Sequence, residues 1–449
     1  MRDFFCQKLL NQVDNISIIL YNKKSMTSLT NNQYIDRLRD IAGPNYWPGC
    51  DPELSILDFY AQAKPLNFGF DESFNDSPKL NLLIPGLAMH TMSGGPNTAF
   101  NLIYRLALAG IPIRLISTCV GPDPDLRPLL NHMMQLAETD IICPNIMVVD
   151  GSNRSNKVLI GKRDIFMATA WWTAQIAMCQ SPFMHTTKFF YLIQDYEAIL
   201  HPASSLQSMA LGTYDADMIP IVNHPMLLNY FKGEKVGRFA DTKFAESAMC
   251  FTPAVDSRIY RYQEKENTQV KKLLFYARPE TGIRNIFEIG VLALHVAAMR
   301  GVFDKQQWQI YGFGDQFASV RLSSNLELIS LPKMGQDEYA SKLREADLLL
   351  SLIMSPHPSY PPLEMAACGG LTVTNSFGIK TSSEFASFSQ NIIVAEPTVE
   401  SIVTAITTAV KMLDDKDRKQ DTLKLHPNTW TESFSPLIPE IIKQWNQLV

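Results

Sequence analysis

The chain has 449 residues, 46% of them hydrophobic and 19% charged, with 40 Lys+Arg against 45 Asp+Glu for a net charge of −5. That balance excludes a disordered or low-complexity protein, and the lack of a basic excess excludes a counterion-release nucleic-acid binder. No apolar run reaches the ~18 residues of a membrane span, and 7 scattered cysteines, none in CxxC spacing, read as reduced thiols with no zinc site.

At ~150 residues per domain the length predicts two or three domains. Residues 1–13 carry charges of both signs and no small-residue cleavage site, so they do not read as a signal peptide. Residues 1–78 hold polar turns such as Gly43-Pro44-Asn45 and Asn75-Asp76-Ser77-Pro78, and read as a helical and loop extension. From Lys79 the pattern changes. An apolar run at 80–84 ends at Pro85-Gly86, a loop containing Ser93-Gly94-Gly95-Pro96 follows, and Ala99, Leu102, Ile103 and Leu106 then recur at helical spacing up to Gly110. A second strand is expected at 111–117, which completes the βαβ unit of a parallel sheet. Further strands are expected at 146–149, 158–160, 189–193, 217–222 and 249–251.

The charged stretch 260–272 reads as a linker to a second series. It comprises a strand at 273–276, a helix at 285–300 with Phe287, Val291, Leu294 and Ala298 on one face, and a strand at 308–311 ending in a turn at Gly312-Phe313-Gly314. Strands at 326–331, 348–353, 371–374 and 392–394 continue it, with helices at 336–346, 361–368 and 398–413. The expected fold is therefore α/β, with two facing Rossmann-like domains at 79–262 and 263–433 and an N-terminal extension at 1–78.

Ligands of such sheets lie beyond the carboxyl ends of the strands, so chemistry is expected in the loops there. In the first loop Gly94 and Gly95 open a helix, whose free N–H groups favour an anion. It lacks G-x-G-x-x-G, and a turn that merely packs explains it equally well. The second loop sets Arg278 and Arg284 between a strand and a helix start, where two guanidinium forks suit a diphosphate; two solvated loop charges are the alternative. The third is stiffened by Pro356, Pro358, Pro361 and Pro362 and carries His357, Ser359 and Tyr360. Glu364 then falls in the first turn of a short helix stopped by Gly369-Gly370, near a donor pocket or only compensating the helix dipole. His357 faces the ligand or packs the loop; His90 has less to single it out. In the fourth, an apolar strand runs into Gln194, Asp195, Tyr196 and Glu197. Carboxylates there hold sugar hydroxyls or serve as acid and base, or Asp195 caps a helix with Glu197 in its first turn.

At these residues the sequence resembles the two-domain, GT-B-type retaining glycosyltransferases of family four. Within that family it is similar to the rhamnosyltransferases that build bacterial S-layer and related surface glycans. The resemblance rests on Gly94-Gly95, the run 189–197, the Arg278/Arg284 loop, the run 355–370 and the closing segment Thr429-Trp430-Thr431-Glu432-Ser433-Phe434; it covers about 80–449. It implies an acceptor held by the first domain, a nucleotide sugar held by the second, and a helix at 434–449 packing back on the first.

The implied reaction moves a hexose, rhamnose from dTDP-rhamnose, onto a sugar hydroxyl of a bacterial surface polysaccharide with retention. Arg278, Arg284, Asp195 and Glu197 would be catalytic, with Gln194 and Tyr196 on the acceptor. Gly94, Gly95, Gly312, Gly314, Lys333, Met334, His357, Ser359, Tyr360 and Glu364 would hold the donor, Glu364 at its ribose. No cofactor or metal is implied, because arginines neutralise the leaving group. The implied partners are the nucleotide sugar and an oligosaccharide or lipid-linked glycan, met in the cytoplasm with at most peripheral contact at the inner membrane face. The wider family has two glutamates eight positions apart; Glu364 matches the second, and the first is Pro356, a variant of the rhamnosyltransferase branch that favours a deoxysugar. Rival readings are the same fold using UDP-glucose or GDP-mannose, a nucleotide-sugar epimerase or hydrolase, and an inactive glycan-binding assembly subunit.

Overall fold

Short apolar runs punctuated by Gly, Pro and Asn alternate with amphipathic stretches from residue 80 onward, and in the computed structural model they become strands and helices in turn. The structure describes residues 64–264, 270–279, 283–413, 415 and 423–449. Most of the expected extension (1–63), part of the linker and Glu280-Thr281-Gly282 of the arginine loop lie outside the described residues.

The first half runs β1 (Phe68–Phe70), β2 (Leu80–Gly86), α1 (Gly94–Leu108), β3 (Ile113–Val120), α2 (Arg127–Leu136), β4 (Ile146–Asp150), β5 (Val158–Ile160) and β6 (Ile165–Ala168). It continues with α3 (Trp171–Gln180), β7 (Phe189–Ile193), α4 (Ser205–Gly212), β8 (Met218–Asn223), α5 (Pro225–Gly233), α6 (Thr242–Ser247) and β9 (Met249–Phe251). Seven of these strands form one parallel sheet in the order β4-β3-β2-β6-β7-β8-β9. Its strands are covered on both faces, which is why they read as continuous apolar runs: Leu82 packs into one core cluster and its neighbour Leu83 into the other.

Two expectations for this half are corrected. The described part of the extension holds loops and a short 3-10 turn at Glu72–Phe74 but also a strand: β1 pairs in parallel with β5, so 158–160 belongs to a separate two-stranded sheet. The strand β6, absent from the sequence reading, is central to the main sheet. At its amino end Asp164, fully buried, accepts from Arg114 Nη1 on β3, from Asn81 Nδ2 on β2 and from the Lys79 N–H, tying three strands together.

The second half contains β10 (Val270–Ala277), α7 (Phe287–Met299), β11 (Gln307–Gly314), β12 (Val320–Arg321), β13 (Glu327–Ser330), α8 (Gln336–Glu345) and β14 (Leu348–Leu350). Then come α9 (Tyr360–Ala367), β15 (Leu371–Asn375), α10 (Ser382–Phe388), β16 (Ile392–Ala395) and α11 (Val399–Met412). The sheet order is β12-β13-β11-β10-β14-β15-β16, parallel except for the antiparallel β12–β13 pair. On α7, Gly290, Ala293, Leu294 and Ala297 are buried, while Phe287, Val291 and Ala298 pack partly buried against the same core, because this helix is apolar nearly all round and carries little periodic signal. Gly312-Phe313-Gly314 is the end of β11 and not a turn after it; Gly314 pairs with Ala277. Finally α12 (Trp430–Phe434) and α13 (Leu437–Leu448) leave this half, and Phe434, Leu437, Ile441 and Trp445 complete the first sheet's core beside α1. Among the described residues no helix is long and apolar enough to cross a membrane.

Candidate active site

In each sheet the chain starts at a central strand, winds outward to one side and then jumps back to the other, so a crevice opens at the point of reversal. That point lies between β2 and β6 in the first sheet and between β10 and β14 in the second. The loops leaving these strands meet around one cleft of about 720 Å³.

The first half supplies the helix start at Gly94 and Gly95, then Thr169 and Trp172 after β6, and Gln194, Asp195 and Glu197 after β7. The second half supplies Arg278, Arg284 and Asn285 after β10, Gly314 and Asp315 after β11, Lys333 after β13, and His357, Ser359 and Tyr360 after β14. Among the described residues no side chain caps the start of α1, which leaves its first N–H groups at the cleft wall.

Asp195 is the hub. Its Oδ2 pairs with Arg284 Nη1, its Oδ1 accepts from Ser355 Oγ, and the Tyr196 N–H donates to Oδ1 at 2.8 Å. Asp195 therefore does not cap a helix; it joins the two halves. Burial alone would raise its pKa, but the Arg284 guanidinium, His357 and the Ser355 hydroxyl outweigh that and hold it below the usual value. Glu197 is placed differently. The Trp171 N–H and, at 3.4 Å, the Tyr191 hydroxyl donate to its Oε2. Burial pushes its pKa up to about 8, helped by the charge of Asp195.

Further polar bridges cross between the halves. Tyr360 Oη lies 3.3 Å from Thr98 Oγ1 and accepts from Asn223 Nδ2 at 3.0 Å, and Lys333 Nζ donates to the His90 carbonyl at 3.2 Å. His357 accepts the Ser359 N–H at Nδ1, 3.0 Å away, and burial drives its pKa down to about 4. The ring is thus neutral with its proton on Nε2, and that N–H has no acceptor among the described residues. Behind it Lys380, fully buried, donates to the Ile353 carbonyl at 2.8 Å; desolvation lowers its pKa to about 7. Backbone strain flanks the site, with Ile286 at φ 41° after the arginine loop and Ser359 at φ 68° before α9.

Twelve of the residues named from sequence share this cleft; Tyr196, Gly312, Met334 and Glu364 do not line it. The Tyr196 ring turns away into Tyr214, Tyr230 and Phe231, at centroid distances of 6.0, 5.4 and 5.7 Å. Gly312 lies under the Phe317 ring, and Met334 packs against the core beneath β14. Glu364 accepts from Tyr339 Oη at 2.8 Å and also bonds Tyr260; burial raises its pKa to about 7. Thr169, Trp172, Asn223 and Asp315, none of them among the sequence candidates, also line the cleft, as does His90. The apolar tetrad at 165–168 was the available signal for Thr169 and Trp172, since a strand there places the next residues at the sheet's carboxyl edge.

Two doubly wound parallel sheets whose reversal points share one cleft define the GT-B architecture. Family models described as "WsaF, N-terminal domain" and "WsaF, C-terminal domain" match residues 79–224 and 271–407, together more than half of the chain. The chain belongs to the WsaF family. It is 28% identical over 287 residues to the O-antigen biosynthesis protein RfbC of Myxococcus xanthus, a match that takes in 61% of this chain and 20% of that protein. The chain thus spans about a fifth of the length of that curated relative. Among solved structures, HepE of Anabaena in complex with UDP-glucose aligns with a TM-score of 0.51 at 11% identity, over 82% of this chain and 98% of that one. A UDP-forming α,α-trehalose-phosphate synthase from Burkholderia xenovorans gives 0.51 at 8% identity, over 82% and 100%. At such identities these likenesses concern the fold alone.

Proposed function

We propose that the chain is a glycosyltransferase that moves a hexose, rhamnose from dTDP-rhamnose, onto a sugar hydroxyl of a surface polysaccharide with retention of configuration. One observation carries this reading: an arginine-bearing loop and a carboxylate-bearing loop face each other across a single cleft. Arg278 and Arg284 would receive the diphosphate and stabilise the charge that builds on it as the glycosidic bond breaks. The uncapped start of α1, with Gly94 and Gly95, supplies N–H groups for the same anion. Gly314 and Lys333 would border the nucleotide, and His357 Nε2–H, Ser359 and Tyr360 the donor sugar. Gln194 would hold the acceptor, with Asp195 and Glu197 handling charge and proton at the reacting centre. Tyr196, Gly312, Met334 and Glu364 would support these walls from behind. The name of the Myxococcus xanthus relative, an O-antigen biosynthesis protein, supports a polysaccharide as acceptor. The reading needs no metal or cofactor, since two guanidinium groups supply the positive charge, and it places the reaction in the cytoplasm.

The test is release of nucleoside diphosphate from dTDP-rhamnose, UDP-glucose and GDP-mannose, with and without rhamnan-type acceptors. The expected result is acceptor-dependent release of dTDP and a retained linkage in the product. Arg278→Ala should lower turnover about 100-fold or more with an unchanged melting temperature. Release from another donor would reassign the base and sugar, and release from none would defeat the transferase reading.

A further inference from the structure

The first half's contribution to the cleft includes a large aromatic side chain to which the reaction above gives no task. Trp172 is the second residue of α3, just beyond β6 at the first sheet's point of reversal, and it lines the cleft. Its ring is held from behind. It stands edge-on to Trp171 at 5.8 Å and 88°, and Trp171, 1% exposed, stands edge-on to His201 at 5.4 Å and 90°. The backbone N–H of Trp171 is in turn bonded to Glu197 Oε2, which anchors the start of α3. An aromatic platform fixed in this way loses little conformational freedom when a ligand settles on it.

The surroundings of Trp172 combine two chemistries. Leu200 and Pro96 add apolar surface to the lining of the same cleft. Glu197 adds a carboxyl group whose Oε2 accepts from the Trp171 backbone N–H and the Tyr191 hydroxyl, and no described residue bonds Oε1. The Trp172 indole N–H is buried and has no acceptor among the described residues, so the ring offers a ligand its apolar surface. An aromatic surface beside a carboxyl oxygen that lacks a partner suits a pyranose, which has a C–H face and a rim of hydroxyls. The geometry points to Trp172 as the platform of an acceptor-sugar subsite: a hexopyranose lays its C–H face on the indole and directs a ring hydroxyl to Glu197 Oε1. That this sugar is the acceptor rests on the transferase reading; that a sugar binds at Trp172 does not.

The two are separated by saturation-transfer NMR on the full chain with the methyl α-glycosides of rhamnose, mannose and glucose. Thermal shift by dTDP, UDP and GDP is measured on the same samples. At least one glycoside should receive saturation at its ring C–H protons. The effect should drop about tenfold in Trp172→Ala and survive in Trp172→Phe, while the nucleotide response of both variants stays that of the wild type. In the unmutated chain labelled with 5-fluorotryptophan, the Trp172 fluorine resonance should move on adding the glycoside. An unmoved resonance, or equal saturation in Trp172→Ala, overturns the subsite. Indifference of the wild type to all three nucleotides would instead count against the transferase reading.

Discussion

Asp195 and Glu197 stand two positions apart in sequence and in opposite electrostatic situations. Arg284, His357 and Ser355 keep Asp195 a carboxylate, whereas burial with the Asp195 charge nearby keeps Glu197 a neutral acid up to about pH 8. Environments that push two carboxyl groups apart in this way separate an anion from a proton donor within one site. The sign for stability follows from linkage. The carboxyl of Glu197 has a pKa of 4.5 as a model group and about 8 in the folded chain. Its contribution is therefore complete below about pH 4.5 and is lost as pH rises through about 8. Lys380 runs the other way, costing stability below about pH 7 and relieving it toward 10.5. Glu197→Gln isolates the first effect: wild type should lose melting temperature relative to the variant between pH 5 and pH 9. Parallel melting curves across that range would mean that Glu197 ionises without penalty. In turnover, the wild-type kcat/KM should fall on the alkaline side with a midpoint near pH 8, and the variant should lack that limb.

At the scale of elements, the loops act through the strands that launch them, and β11 shows how tightly. Gly314 ends that strand at φ 121°, and a Cβ there would lie 2.5 Å from the Ala277 carbonyl and 3.0 Å from the Arg278 side chain. Gly314→Ala should therefore cost at least ~1–2 kcal/mol from backbone conformation alone and push Arg278 off its line into the cleft. A lowered melting temperature with a weakened thermal shift by dTDP would show both; an unaffected dTDP shift would place Arg278 outside the diphosphate site. The same register explains what the sequence could reveal. Strands such as 189–193 are legible because a sheet covered on both faces demands unbroken apolar residues. At only four residues, β6 resembles any short apolar run, so the local pattern alone does not mark Trp172 as lying at a sheet's carboxyl edge. The loops were located by their arginines, carboxylates and prolines, but the direction of each side chain was not. Tyr214 and Phe231 capture Tyr196, and Tyr339 and Tyr260 capture Glu364, from positions far along the chain that no local pattern reports.

At the scale of the whole molecule, the two halves are joined by covalent return and by polar contact. The helix α13 carries Leu437, Ile441 and Trp445 into the core of the first half, and Asp195 bonds Arg284 and Ser355 of the second. The Asp195–Arg284 pair is only partly exposed, at 12% and 21%, so water screens it less than a surface pair. If Arg284 receives a diphosphate, the incoming anion must compete with a carboxylate already in place. Asp195→Asn removes that competitor's charge while preserving its shape. The expected outcome is a split. dTDP should bind more tightly by up to about tenfold, the equivalent of ~1.4 kcal/mol. Turnover should nevertheless fall, because in the proposed reaction Asp195 is one of the two carboxyl groups at the reacting centre and the amide cannot carry its charge. Calorimetric titration with dTDP beside steady-state turnover measures both. Weaker or unchanged dTDP binding in the variant would show that Asp195 and the diphosphate do not share Arg284, and the diphosphate would then have to rest on Arg278 and the start of α1.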